Sequence, residues 1–202
     1  MNLSTRALSP RPIALLLAVS LAVTILAFGS AQAGSPTARQ QGLQPTINAA
    51  DLAQRIHARI NEQRTRHGLG ALAWNASLAH IATRHSRDMA ERNYFSHDTP
   101  EGKSFGDRYR QAAFSCRIRI GNEIYAGAEN IALGRLYNSV TIQNGIAHYH
   151  WNSMEQIARM TVDGWMKSPG HRKNILTPYW RREGIGVEVR PDNKIYVTQN
   201  FC

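Results

Sequence analysis

The sequence predicts an α+β domain with antiparallel strand pairing. Two early segments carry apolar residues at helical spacing, and a third amphipathic segment follows after the middle of the chain. Two apolar runs near the C-terminus are separated by a turn, as in a β-hairpin. Helices first and a hairpin last are typical of an α+β fold.

The first two helices have identifiable starts. Asn48 precedes the first helix, which His67-Gly68 ends, and its apolar residues recur at helical spacing: Leu52, Ile56 and Ile60. The second helix begins after Asn75. One face of it carries Leu78, Ile81, Ala82, His85 and Met89. We interpret His85 as a buried histidine that is hydrogen-bonded to a backbone carbonyl.

The middle of the chain is predicted to contain a loop, a short helix and a strand. Residues 93–102, which include His97, are rich in turn formers, and residues 105–114 suit a short third helix. Residues 126–133 are an apolar run with one acid, Glu129, and are predicted to be a strand or an extended loop. A carboxylate there is costly to desolvate unless a cation, a metal or a hydrogen-bond donor meets it.

Residues 136–151 carry no clear periodicity. They contain His148 and His150, whose alternation would place both imidazoles on one face of a strand, where they could share a metal. We interpret this segment as a surface loop, since no third ligand is close in sequence.

A long helix and a hairpin are predicted to complete the fold. Asn152 and Glu155 have the spacing of a capping box, and the helix is expected to stop at Ser168-Pro169-Gly170. Residues 184–190 and 194–201 are predicted to form the terminal hairpin.

The N-terminus predicts a secretory signal peptide over residues 1–33. Arg6 and Arg11 precede an uncharged apolar run, and Ala31-Gln32-Ala33 supplies small residues where a signal peptidase would cleave. The apolar run is slightly short for a transmembrane helix, which needs about 20 residues. An uncleaved anchor is the alternative.

The remaining chain is expected to be secreted, whether extracellular or periplasmic. Residues 34–47, rich in Gln, Pro, Ser and Thr, are predicted to be a disordered leader, and residues 48–202 a single domain. In an exported chain Cys116 and Cys202 are expected to form a disulfide, within one chain or between two.

The charge balance is strongly basic but evenly spread. The 24 Lys and Arg residues exceed the 14 Asp and Glu residues, for a formal net charge of +10, without a run of like charges. This favours loose attraction to anionic surfaces such as cell-wall polymers, phospholipid or nucleic acid. The alternative is a solvated basic surface with no dedicated partner. No pattern of stacking aromatic residues indicates a nucleic-acid site.

Three residues stand out because they occupy element boundaries: His97, Glu129 and His171. Two imidazoles and a carboxylate suit a divalent metal such as zinc, with water at the remaining positions. The same three groups could serve in acid–base chemistry.

The chain resembles the CAP superfamily of cysteine-rich secretory proteins, antigen 5 and pathogenesis-related 1 proteins. It is most similar to the bacterial branch of SCP-like extracellular proteins. The matching motifs, in the family's order, are residues 60–64, 72–75, 78–79, 95–97, 128–131, 168–176, 184–187 and 196–201.

The resemblance implies an α-β-α sandwich with a small antiparallel sheet between helices. It also implies a cleft in which two histidines and two acids can hold zinc or another divalent cation. His97, Glu129 and His171 match three of these four positions, whereas Ser168 stands where the second acid is expected. Ser168 and Asn174 are expected to lie just behind the metal ligands.

Two classes of function follow from the resemblance. The first is a binding or interaction module for a lipid, a glycan, a peptide or a cell-envelope polymer. The alternative is a metal-dependent hydrolase, such as a protease, an esterase or a nuclease, that uses the same cleft. Residues 136–151 resemble an insertion, which would place His148 and His150 at the cleft rim.

Overall fold

The computed structural model describes residues 39–41 and 44–202. The predicted signal peptide therefore lies outside the described residues. The helices of the described part are α1 (Ala49–Arg66), α2 (Ala76–Glu91), α3 (Phe105–Gln111), α4 (Met154–Lys167) and α5 (Pro169–Ile175). The strands are β1 (Arg39–Gln41), β2 (Ala73–Trp74), β3 (Ile118–Ile120), β4 (Glu123–Tyr125), β5 (Ala128–Arg135), β6 (Tyr137–Gln143), β7 (Ile146–Trp151), β8 (Arg182–Val189) and β9 (Lys194–Phe201).

The central sheet has the strand order β2-β8-β9-β5. The predicted terminal hairpin is confirmed as β8 and β9, which pair antiparallel, and β5 pairs antiparallel with the other edge of β9. Only the two-residue β2 is parallel to its neighbour, β8. The structure thus contains the small, mainly antiparallel sheet that the sequence predicted.

Helices cover both faces of this sheet, and the predicted α-β-α sandwich is confirmed. On one face Ile185 and Val187 join α1 and α4 in the main apolar core. On the other face Gly184 and Gly186 meet α2, which also packs against β9. The alternation of side chains along β8 separates the two layers.

The two glycines of β8 set the distance between α2 and the sheet. A Cβ atom built on Gly184 would lie 2.0 Å from the backbone nitrogen of Ala79, and one built on Gly186 would lie 2.0 Å from that of Thr83. Since these are backbone atoms of a helix, they cannot swing aside. Glycine at both positions therefore lets α2 lie directly on the sheet.

The helix starts agree with the prediction in two cases out of three. Asn48 and Asn75 cap α1 and α2 through their side-chain oxygens. The predicted box of Asn152 and Glu155 is wrong by one residue, because Ser153 and Gln156 form the capping box of α4. Both candidate pairs have the required spacing, and the structure selects the one with the serine.

The Ser168-Pro169-Gly170 sequence starts a helix as well as ending one. Ser168 ends α4, and Pro169 is the first residue of α5. Proline suits this position because the first helical N–H has no intrahelical partner. His171 therefore lies in the first turn of a helix, whereas the sequence predicted only a helix stop.

The surface-loop interpretation of residues 136–151 is wrong. This segment forms the antiparallel hairpin of β6 and β7, and the turn residues Asn144 and Gly145 have positive φ angles of 52° and 75°. An Asn-Gly pair is the preferred two-residue hairpin turn. Arg39–Gln41, which fall within the predicted disordered leader, pair in parallel with β7.

Cys116 and Cys202 form a disulfide within the chain, so the predicted pairing is confirmed. The bond ties the C-terminal residue to the segment before β3. Both cysteines are buried beside Tyr109 in a small apolar cluster under α2 and α3.

We predict that Gly186→Ala destabilises the fold by about 3 kcal/mol or more, because the added methyl group must push α2 off the sheet. The matched control is Gly164→Ala in α4, where a Cβ would meet no atom within 4 Å. That variant should be neutral or more stable by up to about 1 kcal/mol. Urea unfolding of both variants measures the difference, and equal effects would contradict the proposed close contact.

Candidate functional site

Glu129 is a carboxylate buried inside the sandwich. It lies on β5, opposite Asn200 of β9, and its side chain is only 1% exposed. Arg108 Nη2 donates to Oε2 at 2.6 Å, and His97 Nδ1 donates to Oε1 at 3.0 Å. Each carboxylate oxygen therefore has a direct partner, which offsets the cost of burying the charge.

Arg108 was missed by the sequence analysis, and it organises this end of the molecule. It comes from α3, and its Nη1 donates to the backbone oxygens of His97 and Lys103 at 3.0 and 3.1 Å. The guanidinium thus binds Glu129 and the loop that carries His97 at the same time. A buried Glu129 was expected to need a donor or a cation as its partner. The sequence contains several arginines, and nothing in it distinguishes Arg108 from the others.

His97 has a defined orientation although its side chain is 49% exposed. Because Nδ1 points at a carboxylate, the neutral ring carries its proton on that nitrogen. The other ring nitrogen, Nε2, then has a free lone pair that can bind a metal ion or accept a proton. This is the arrangement in which a carboxylate positions a metal-binding histidine.

His171 lies next to His97. The two ring centroids are 6.5 Å apart, and the ring planes are tilted by 44°. Burial lowers the pKa of His171 below its usual value, and the neighbouring His97 lowers this pKa further. The imidazole of His171 is therefore neutral at pH 7 and can act as a ligand.

Asn174 of α5 makes two side-chain hydrogen bonds to β5, and its predicted role behind the metal ligands stays a prediction. Its Nδ2 donates to the backbone oxygen of Glu129 at 3.2 Å and to Oδ1 of Asn130 at 2.9 Å. Asn130 in turn donates to the backbone oxygen of His171 at 3.3 Å. The amides thereby connect α5, which carries His171, to β5, which carries Glu129.

Ser168 lies at the junction of α4 and α5, three residues before His171. Its backbone N–H donates to the carbonyl of Trp165. Within the described residues its hydroxyl makes no hydrogen bond, so the serine does not replace the second acid as a partner of either histidine. Its proposed role behind the ligands stays a prediction.

His148 and His150 lie on the β6–β7 hairpin. The base of this hairpin follows the end of β5 at Arg135, six residues or roughly 20 Å from Glu129. Within the described part of the chain, neither imidazole contacts His97, Glu129 or His171. Their place at the cleft rim stays a prediction.

His85 is the buried histidine that the sequence predicted. Its Nε2 donates to the backbone oxygen of Ser96 at 3.0 Å, which confirms the interpretation. The same nitrogen lies 4.0 Å from Oε1 of Glu129. Burial lowers the pKa of His85, so the ring is neutral beside the Glu129–Arg108 ion pair.

The donor set does not fit a three-ligand metal centre. Across residues 39–41 and 44–202, no group of three or more His, Cys, Asp or Glu side chains is arranged to hold a metal ion. Both oxygens of Glu129 are hydrogen-bonded, one to Arg108 and one to His97, and the side chain is only 1% exposed. The imidazoles of His97 and His171, whose ring centroids are 6.5 Å apart, are the remaining nitrogen donors at this position.

Comparison with known proteins places this fold in a family. The model of the cysteine-rich secretory protein family, abbreviated CAP, matches residues 57–201. The chain is 34% identical over 141 residues to the membrane protein YlbC of Bacillus subtilis (strain 168), a match that covers 70% of this chain and 31% of that protein. It is 31% identical over 126 residues to YkwD of the same organism, covering 62% of this chain and 38% of that protein. The chain thus spans about a third of the length of these relatives.

Solved structures show the same fold. An extracellular protein with an SCP domain from Bacillus anthracis str. Ames is 30% identical with a TM-score of 0.53, and the match covers 80% of this chain and 44% of that one. An outer surface protein from Borrelia burgdorferi is 15% identical with a TM-score of 0.55, covering 79% of this chain and 97% of that one.

We predict that Arg108→Met destabilises the protein by about 3–5 kcal/mol, because it leaves the Glu129 carboxylate buried without a counter-ion. The double variant Arg108→Met/Glu129→Gln should recover about half of this loss, since it removes the buried charge. Arg110→Met on the same helix is the control, because that side chain is 74% exposed. Chemical denaturation gives all three values, and an equal loss in both single variants would contradict the role of Arg108.

Proposed function

This chain belongs to the cysteine-rich secretory protein (CAP) family, and we propose that it is a secreted binding module whose His97 and His171 hold a divalent cation such as zinc. The ion would serve to bind a ligand in the cleft. Glu129 orients His97 and does not itself bind the ion.

The hydrogen bond from His97 Nδ1 to Glu129 carries this proposal. It fixes the tautomer and the ring orientation of an exposed histidine, which a merely solvated histidine does not need. His171 supplies a neutral imidazole beside it. Zinc accepts imidazole nitrogens at about 2.0–2.1 Å, and two protein ligands leave its other positions to water or to a ligand.

Binding is favoured over hydrolysis by the state of Glu129. A metal-dependent hydrolase commonly needs a base that can take a proton from the attacking water. Both oxygens of Glu129 are engaged by Arg108 and His97, and Ser168 stands where a second acid would offer this group.

The predicted signal peptide and the disulfide both support export of the protein. A bond between Cys116 and Cys202 is stable in an oxidising compartment. The related protein from Bacillus anthracis is extracellular. Within the described residues, no helix is long and apolar enough to cross a membrane.

We predict that zinc binds the purified protein with one site, and that His97→Ala and His171→Ala each abolish this binding. Glu129→Gln should weaken it by about 10- to 100-fold, because the partner that orients His97 is altered. Calorimetry with zinc measures each affinity, and circular dichroism verifies that every variant is folded.

His80→Ala, which removes an exposed histidine of α2, is the matched control and should bind zinc normally. His150→Ala tests the hairpin in the same way. Zinc binding that survives loss of both His97 and His171, or that depends on His150, would reject the proposed site.

A further inference from the structure

The free edge of β5 is a second candidate site, and it involves neither of the cleft histidines. β5 is the last strand in the order β2-β8-β9-β5, so within the described residues only one of its edges is paired. The unpaired edge of a strand presents backbone N–H and C=O groups that another extended chain can pair with. Residues 133–135, at the C-terminal end of β5, are all exposed.

The pairing register shows which residues of β5 face this edge. Both backbone groups of a residue in an antiparallel pair point either towards the partner strand or away from it, and the direction alternates along the strand. Arg182 and Cys202 exchange both hydrogen bonds at the end of the β8–β9 pair. Two residues earlier, Asn200 therefore also points to β8, and it points away from Glu129, its neighbour in β5. The backbone groups at the free edge thus belong to alternate residues of β5: Glu129, Ile131, Leu133 and Arg135.

Side chains already cover the first half of this edge. Asn174 Nδ2 donates to the backbone oxygen of Glu129 at 3.2 Å, and Trp165 Nε1 donates to that of Ile131 at 3.0 Å. For the other two residues of the series, no group in the described part of the chain is hydrogen-bonded to the backbone at this edge. The edge is therefore closed at one end and open at the other.

An apolar groove lies beside the open end, between β5 and α4. Its volume is about 140 Å³. Its lining is mainly aliphatic and includes Ala132, Leu133, Ile157, Met160, Ile195 and Val197. An apolar cavity of roughly 150 Å³ can hold benzene, whereas sites for drug-sized ligands begin at about 300 Å³. The groove therefore has room for one apolar side chain of an approaching chain.

Gly134 leaves the groove open towards the edge. It lines the groove, and a Cβ atom built on it would meet no atom within 4 Å. If a strand is added at this edge, the residue opposite Gly134 places its side chain on the same face, over the groove. The two neighbours of that residue then turn their backbone groups to those of Leu133 and Arg135. A glycine inside a strand often marks a place where another backbone approaches closely.

The charge at this edge favours an acidic partner. Among the described residues, Arg135 is the one charged side chain that lines the groove, and it makes no ion pair there. Its guanidinium carbon lies 5.6 Å from the ring centroid of Tyr137. An acidic side chain opposite Arg135 in an added strand would form an opposite-charge pair across the two strands.

We propose that the open end of β5 binds an extended segment of another protein, which adds as a strand beside residues 133–135. A leucine or a similar aliphatic side chain fills the groove opposite Gly134, and an acidic side chain lies opposite Arg135. Backbone hydrogen bonds supply affinity, and the groove selects the anchoring side chain. The site needs no metal, so it is independent of the function proposed for His97 and His171.

Three synthetic peptides test the backbone and side-chain contacts on the whole protein. The probe is acetyl-Thr-Thr-Glu-Leu-Glu-Thr-Thr-amide, whose leucine is the anchor. One control peptide has alanine in place of leucine, and the other carries N-methyl groups on both glutamates, which removes the donors that would face β5. All three peptides have the same charge, so general attraction to the basic protein is equal. We expect each control to bind about tenfold more weakly than the probe, or worse.

Variants of the protein locate the binding. Gly134→Val should weaken binding of the probe about tenfold or more, because the new side chain takes the space of the anchor. Gly134 does not have a positive φ angle, so valine is not strained there. Met160→Ala, which removes half-exposed apolar surface from the groove wall, should weaken binding several-fold. Thr141→Val, at an exposed position of β6, is the matched control and should bind normally.

NMR titration measures these affinities, and circular dichroism verifies that each variant is folded. Binding that depends on the leucine, is lost in Gly134→Val and is kept in Thr141→Val supports the site. No binding of the probe, equal binding of all three peptides, or unchanged binding in Gly134→Val would overturn it. Sedimentation tests a second copy of this chain as the occupant. A dimer that dissociates in Gly134→Val would assign the edge to self-association and would also overturn the proposal.

Discussion

The central sheet buries a carboxylate on each of its two faces, at the same end of the sheet. Glu129 faces α2 and is held by Arg108 and His97. Glu183, on the α1 face, is fully buried, and it accepts from His57 Nδ1 and from Gln199 Nε2, both at 2.5 Å. A buried ionised carboxylate is tolerated only where donors surround it, so each acid dictates which side chains must converge on it.

A chain of amides runs from the carboxylate of Glu183 to the backbone oxygen of Glu129. Gln199, which donates to Glu183, accepts from Asn130, and Asn130 accepts from Asn174 of α5. Asn130 also binds the backbone oxygen of His171. Because every member has a partner, the chain fixes the position of α5 relative to β5. The position of His171 relative to Glu129 is thus set from inside the core.

Patterns of apolar residues were sufficient to predict the main elements from the sequence. The face of α2 with Leu78, Ile81 and Met89 is buried as predicted, and so is His85. Periodicity succeeds there because one stripe of each element must face the core. The β6–β7 hairpin escaped prediction because β6 is almost entirely exposed and carries no alternating burial.

Apolar periodicity did not contribute to the prediction of the candidate site, which was predicted only in part. Their positions and the resemblance to a family identified His97, Glu129 and His171. In the structure His97 is hydrogen-bonded to Glu129, and its ring centroid lies 6.5 Å from that of His171. Arg108 could not be identified, because a guanidinium that is about to be buried looks the same in sequence as a solvated one. Only its pairing with Glu129 distinguishes it, and that pairing depends on how α3 folds back over β5.

The buried ion pair of Arg108 and Glu129 also bears on the metal site proposed above. Arg108 neutralises Glu129, so the acid adds little net negative charge that would attract a cation. What Glu129 supplies is orientation, since it holds a half-exposed imidazole in one tautomer before any ligand arrives. In the site proposed above, two imidazoles without a bound carboxylate would leave more of the ion's charge and coordination positions to its ligand. Ser168 stands where the family resemblance implies a second acid, and it carries no charge. This position therefore adds no negative charge either. If the proposed function is correct, an ion held in this way would be suited to bridging the protein to an anionic or oxygen-rich ligand.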